Sequence, residues 1–185
     1  MTLETDRPRS TRRAYIAAAG TAGLGSLAGC LGFLIAEDDA AIERVSELEV
    51  DVGPGREDDF DPRIGHVDEG GTVTFTWASG NHDVTSMHLA NDVPEGAPDG
   101  STPFSQDLNG PGQQLVWDFE EPGVYHVVCV RHERVGMLMS IIVGEPEDLD
   151  DEPALGEPDP ALSDATRDRW SNHASEIREL LGGSG

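Results

Sequence analysis

The sequence contains no lysine: its 12 basic residues are all arginine and face 36 Asp and Glu, for a formal net charge of -24. Four of those arginines fall within the first thirteen residues, and beyond residue 29 the balance is 8 Arg to 34 acids. That balance excludes a nucleic-acid partner, since phosphate binding needs a basic face. Self-repulsion of this size is tolerable where salt screens it, the Debye length shrinking to about 3 Å near 1 M. An acidic, lysine-free composition is the one expected of proteins that work in dense salt. Cysteine is nearly absent too. With only Cys30 and Cys129 there is no disulfide framework, and each cysteine has a separate explanation below. The apolar stretch Ala14 to Gly29 is short and rich in glycine for a membrane span of ~20 residues. There is no His-x-His pair and no internal repeat. The 185 residues hold one ordinary domain with extensions.

Residues 1–29 read as a targeting segment: Arg7, Arg9, Arg12 and Arg13 lead into the small-residue apolar stretch. Thr11-Arg12-Arg13-Ala14-Tyr15-Ile16 resembles a twin-arginine export signal, and Leu27-Ala28-Gly29-Cys30 resembles a lipoprotein processing box. In such a box Cys30 becomes the lipidated first residue of the mature protein. The alternative is a short apolar anchor that is kept, and either places the remainder outside the cytoplasm. Residues 30–45 form an acidic tether, and residues 46–144 carry a β rhythm. Leu48, Val50 and Val52 alternate with acids; Gly70-Gly71 makes a turn, after which Val73, Phe75 and Trp77 alternate inward; Leu115, Trp117 and Phe119 alternate again. Strands are also expected from Val124 to Cys129 and from Met139 to Val143, while the Pro/Gly/Asn/Asp-rich residues 91–114 read as a long loop. About seven short strands without a helical period predict an all-β protein, an antiparallel β-sandwich. Residues 145–162 read as an acidic Pro-rich linker. Residues 163–181 form a short helix capped by Ser163, with an apolar stripe at Trp170, Ala174, Ile177 and Leu181. A lone helix of this length is marginal in water, so the stripe should pack on the sandwich or on a partner.

The chemistry concentrates in Tyr125-His126-Val127-Val128-Cys129-Val130-Arg131-His132-Glu133-Arg134-Val135-Gly136-Met137, which contains C-x2-H-x4-M between two strands. A thiolate, an imidazole and a thioether on one loop select copper, and two His with one Cys and a weak axial Met make a blue-copper set. His82, at the start of a strand, supplies the second imidazole. Zinc is the runner-up metal, although one Cys with a Met suits it poorly. His66, His126 and His173 are not expected to be ligands, and three residues from Cys129 His126 falls on the opposite face of the strand. His88 shares a face with His82 by alternation but lies too far along the strand, and a surface or loop-contact role is expected. Met139 is the rival for the axial position.

On these residues the chain resembles the plastocyanin-like cupredoxins, and most closely the haloarchaeal halocyanins. The likeness spans roughly residues 60–144. It rests on Val67-x-x-Gly70-x-x-Val73-x-Phe75-x-Trp77, on Asn81-His82-Asp83-Val84-Thr85, and on Pro122-Gly123-x-Tyr125 leading to Cys129-x-x-His132 and Gly136-Met137. The resemblance implies a Greek-key β-sandwich holding one type 1 copper ion on His82, Cys129, His132 and Met137, with His132 nearest the surface. It implies an electron carrier and not an enzyme, cycling Cu(I)/Cu(II) between membrane-associated respiratory redox proteins as a monomer. A lipid on Cys30 would tether it to the bilayer at the outer face of the cytoplasmic membrane. An oxidase or nitrite reductase would need further histidines, whereas a copper carrier or assembly factor could use the same site. The sequence departs from the family twice: Asp83 stands where many relatives carry Asn, which puts the staple beside the site in doubt, and Arg131 stands where plastocyanins usually carry Pro.

Overall fold

The computed structural model describes residues 42–182. The signal segment, Cys30 and the tether up to residue 41 lie outside the described residues. Strand β1 (Arg44–Val52) begins within the expected tether and buries Val50 and Val52 while its acids face water. β2 (Phe60–Asp61) pairs antiparallel with its end. β3 (Ile64–Trp77) is continuous through Gly70-Gly71, where the sequence suggested a turn. Gly70 takes φ +74, open to glycine at no steric cost, and the strand changes pairing partners around it. Its first half pairs parallel with β8 (Leu138–Val143), and its second half pairs antiparallel with β6 (Gln114–Phe119). β1 runs parallel to both halves across a register shift between Val45 and Glu47. The sandwich is therefore antiparallel except for the β1–β3 and β3–β8 pairs.

β4 (His82–Ser86) lies between β5 (Ser105–Leu108) and β7 (Gly123–Val128), and β7 forms a hairpin with β8. β5 falls in the stretch read as loop. It is a four-residue edge strand with only Leu108 fully inward, too short for its alternation to stand out from Pro/Gly-rich flanks. The sandwich core is filled by Val50, Val52, Val73, Phe75, Phe119, Tyr125, Val127 and Ile141 among others.

β7 and β8 are buried on both faces, which explains why they read as apolar runs with little alternation. Their outer face, Val124, Val128, Leu138 and Ile142, is covered by α1 (Asp164–Gly182) through Trp170, Ala174 and Ile177, with Leu181 at the edge. The preceding stretch is no free linker. Ala154, Leu155 and Leu162 are buried in the same cluster, and Glu152 accepts the Val124 N–H at 2.9 Å. Prolines and acids remain outside while three apolar side chains plug the sheet. Among the described residues no helix is long and apolar enough to cross a membrane.

Candidate metal centre

Cys129 directly follows β7, and its N–H donates to the Met137 carbonyl at 3.0 Å, closing the connection to β8 into a tight loop. Inside it the chain makes 3-10 turns over Val130–Val135. His132 N–H donates to Cys129 O (3.0 Å), Gly136 N–H to Glu133 O (2.9 Å) and Met137 N–H to His132 O (3.2 Å). Gly136 reverses the chain at φ +78, a conformation that favours glycine. The loop points His132 back toward Cys129, and β4 brings His82 alongside from 47 residues upstream. One ligand atom from each of His82, Cys129 and His132 lies within 4.8 Å of the others. The two Nδ1 atoms are 3.0 Å apart, and the Cys129 Sγ is 3.4 Å from that of His132 and 3.9 Å from that of His82. Met137 is fully buried in the sandwich core. Met139, on the same face of β8, is core as well and sits about 6–7 Å further along the strand.

The outer edges of the two imidazoles differ. His82 is buried, and its Nε2 rests against Gly53 and Gly80, where a Cβ would fall 2.6 and 2.4 Å away. Any larger residue at either glycine would push the ring inward. The His132 side chain is 27% exposed, with Nε2 3.6 Å from an Asp58 carboxylate oxygen. Neither Asp58 nor the glycine cradle was identified from sequence; Gly80, two residues before His82, was the available signal.

Burial pushes the Cys129 thiol up to about 11, against the opposing pull of the Asp83 N–H, 3.4 Å from the sulfur. Burial, and then the neighbouring His132, push His82 down, which favours the neutral ring and its lone pair. Two imidazole nitrogens and a thiol converging at these distances fit a soft cation that takes all three lone pairs and expels the thiol proton. That donor set is copper's.

The staple left in doubt by Asp83 is present. Its carboxylate accepts the N–H groups of Val130 (2.9 Å) and Arg131 (3.3 Å) and the Thr85 hydroxyl (2.9 Å). An acceptor-only carboxylate suffices because every partner is a donor. Arg131 adds a second tie, donating to the His82 carbonyl at 3.0 Å and to Asp107 at 2.8 Å. That hydrogen bond raises the Arg131 guanidinium and lowers the Asp107 carboxyl. The remaining histidines stand apart. His66 Nε2 is 2.8 Å from the Gly144 carbonyl, and His88 caps a turn by accepting the Ala90 N–H at 3.1 Å. His126 faces away from Cys129, where Ser140 Oγ lies 2.8 Å from its Nδ1 and 2.9 Å from that of His173.

Residues 47–144 match the family model of copper binding proteins, plastocyanin/azurin family. A pseudoazurin of Methylorubrum extorquens is 29% identical over 109 residues, 59% of this chain and 68% of that protein. The solved pseudoazurin of Methylobacterium extorquens AM1 superposes with TM-score 0.54 at 25% identity, covering 71% of this chain and 98% of the other. That of Hyphomicrobium denitrificans gives 0.55 at 24%, covering 70% and 97%, a likeness of fold.

Proposed function

This chain belongs to the plastocyanin/azurin family of copper-binding proteins, and we propose that it carries single electrons on one copper ion held by His82, Cys129, His132 and Met137. The observation that carries this reading is the convergence of the Cys129 sulfur and two Nδ1 atoms within 4.8 Å, in a chain of this family. Copper bound there would supply a one-electron couple between Cu(I) and Cu(II). The residues supply rigidity and access. β4, β7, the Asp83 staple and the Gly53/Gly80 cradle hold the thiol and imidazoles in fixed positions, so little rearrangement accompanies a change of charge. His82 is sealed in, whereas His132 reaches the surface between Val130, 49% exposed, and Val135, 58% exposed. Electrons would pass through His132 where a partner docks on that apolar rim.

The test is the visible spectrum of the copper-loaded protein. Its intense band should vanish in Cys129→Ala, because the band arises from thiolate-to-copper charge transfer; a full band in that variant would overturn the ligand assignment. A reversible potential with fast exchange would separate an electron carrier from a copper-delivery or assembly factor. The finer placing, beside the haloarchaeal halocyanins, is supported by the acidic, lysine-free composition, while the relatives matched are pseudoazurins. The motifs at Arg12-Arg13 and Leu27–Cys30 support export and lipid anchoring at the outer face of the cytoplasmic membrane, where respiratory redox proteins would be its partners. One acyl chain binds only marginally, so two or more are implied.

A further inference from the structure

The N-terminus of α1 is fastened to the ligand loop itself. Ser163 begins the helix and accepts the Thr166 N–H at 3.3 Å, an ordinary cap. In a capping box an acid three residues on would take the N–H of the cap residue, but Ser163-Asp164-Ala165-Thr166 has a threonine there. Glu133, beside His132 in the loop, fills that place: its carboxylate accepts the Ser163 N–H at 2.6 Å. The Glu133 carbonyl in turn accepts the Ser163 hydroxyl at 3.0 Å and the Thr166 hydroxyl. Gly136, just before Met137, presses on the same turn, since a Cβ there would lie 2.9 Å from the Ala165 carbonyl oxygen.

The body to which the loop is tied is itself fixed. Trp170 stacks edge-on against His126 at 4.2 Å, donates from Nε1 to the Gly156 carbonyl at 3.0 Å, and is buried with Ala174 and Ile177. A carboxylate at a helix N-terminus also gains from the helix dipole. The segment from His132 to Met137 is thus gripped at Glu133 and abutted at Gly136 by an element outside the sandwich.

We infer that Ser163 and Thr166 are positioning residues of the metal centre, through which the C-terminal helix holds the His132–Met137 segment in its copper-binding geometry. The inference rests on the reading of His132 and Met137 as ligands. It makes the C-terminal extension part of the site, although the sequence suggested a domain complete at Gly144.

The test uses the full chain carrying Ser163→Ala with Thr166→Val, which removes both hydroxyls from the Glu133 carbonyl. In the metal-free protein the Gly136 and Met137 amides, bonded within the loop, should exchange hydrogen about tenfold faster. The copper dissociation constant should rise about tenfold, as for other groups that orient ligands, and the visible band should shift. Ser163→Thr, which keeps the hydroxyl, should restore wild-type values. Val67→Ala is the control: it weakens the core beside Val143, at the end of β8 away from the loop and off the helix, and should leave band and amide exchange unchanged. If the double variant loses thermal stability as Val67→Ala does, yet keeps wild-type exchange, affinity and band, the inference is overturned. Should the double variant not fold, Ser163→Ala alone decides by the same three readouts, with a smaller expected change. Failure of the ligand reading would look different: copper and its band would survive Cys129→Ala.

Discussion

Acidification from pH 6.5 to 5 should cost this fold about 3 kcal/mol through two histidines on the face of the sheet opposite Cys129. His126 on β7 and His173 on α1 are buried and share the Ser140 hydroxyl, so one imidazole accepts its proton and the other donates to its oxygen. A further proton on either ring would be charged and desolvated. Burial, and then the charge of His173, hold His126 down to about 3; burial, Arg169 and Arg63 hold His173 down to about 4, with Asp59 opposing. In the unfolded chain both titrate near 6.5. Below that pH the unfolded state binds two protons that the folded state refuses, so stability is complete above pH 6.5 and falls as pH drops toward the folded values. Each histidine contributes up to ~1.4 kcal/mol per pH unit, or about 1.6 kcal/mol over this window because the unfolded ring is only half protonated at pH 6.5. Most carboxylates begin to titrate only below about pH 5, so relief of acidic repulsion does not mask the effect. Urea denaturation followed by tryptophan fluorescence, at fixed molar salt between pH 7 and 5, gives the slope. His126→Gln and His173→Gln should each reduce it by one proton, whatever His82 contributes. A slope equal in wild type and double variant would refute the reasoning.

Met137→Leu should keep the protein blue and raise its reduction potential by about 60 mV, a tenfold change in the one-electron equilibrium, because a weak axial sulfur favours Cu(II). Met139→Leu should leave the potential unchanged in voltammetry; the reverse pattern would reassign the axial ligand. Cys30→Ser should move the protein from the membrane fraction to the soluble one, and Arg12-Arg13 to Lys-Lys should block export. Continued membrane attachment of Cys30→Ser would favour a retained apolar anchor. The melting temperature should fall on dilution from molar salt, since 34 acids against 8 Arg beyond residue 29 repel more as screening weakens; a flat profile would contradict that.

The metal centre was legible because its donors are chemically rare and locally spaced. Cys129, His132 and Met137 lie on one loop closed by backbone hydrogen bonds of Met137 to Cys129 and His132, and that closure turns the His132 ring toward the Cys129 sulfur. His82 was legible only as a histidine opening a strand, and the β4–β7 pairing carries it to the cysteine. The alternation of β1 and β6 showed their buried faces, and the offset of three placed His126 opposite Cys129. The departure at Asp83 was visible, but its consequence was not. Whether a carboxylate can replace an amide depends on whether its neighbours donate, and Val130, Arg131 and Thr85 all do.

Other features belong to the tertiary structure alone. β5 is too short for a periodic signal, and it is strand because β4 offers it an edge. Gly70-Gly71 reads as a turn in any local window, and only pairing to different partners on either side makes it part of β3. The apolar residues of 145–162 are too few and too scattered among prolines and acids to announce a buried segment; the uncovered outer face of β7 and β8 gives them their place. Composition, spacing and periodicity act within one stretch of chain, so the sequence by itself determined the charge, the strands with clear alternation, the helix and its apolar stripe, and the donor types. Contacts between distant stretches decided that His82 meets Cys129 and that Glu133 completes the cap of Ser163, thirty residues away, because burying both faces of β7 and β8 left α1 one place to lie.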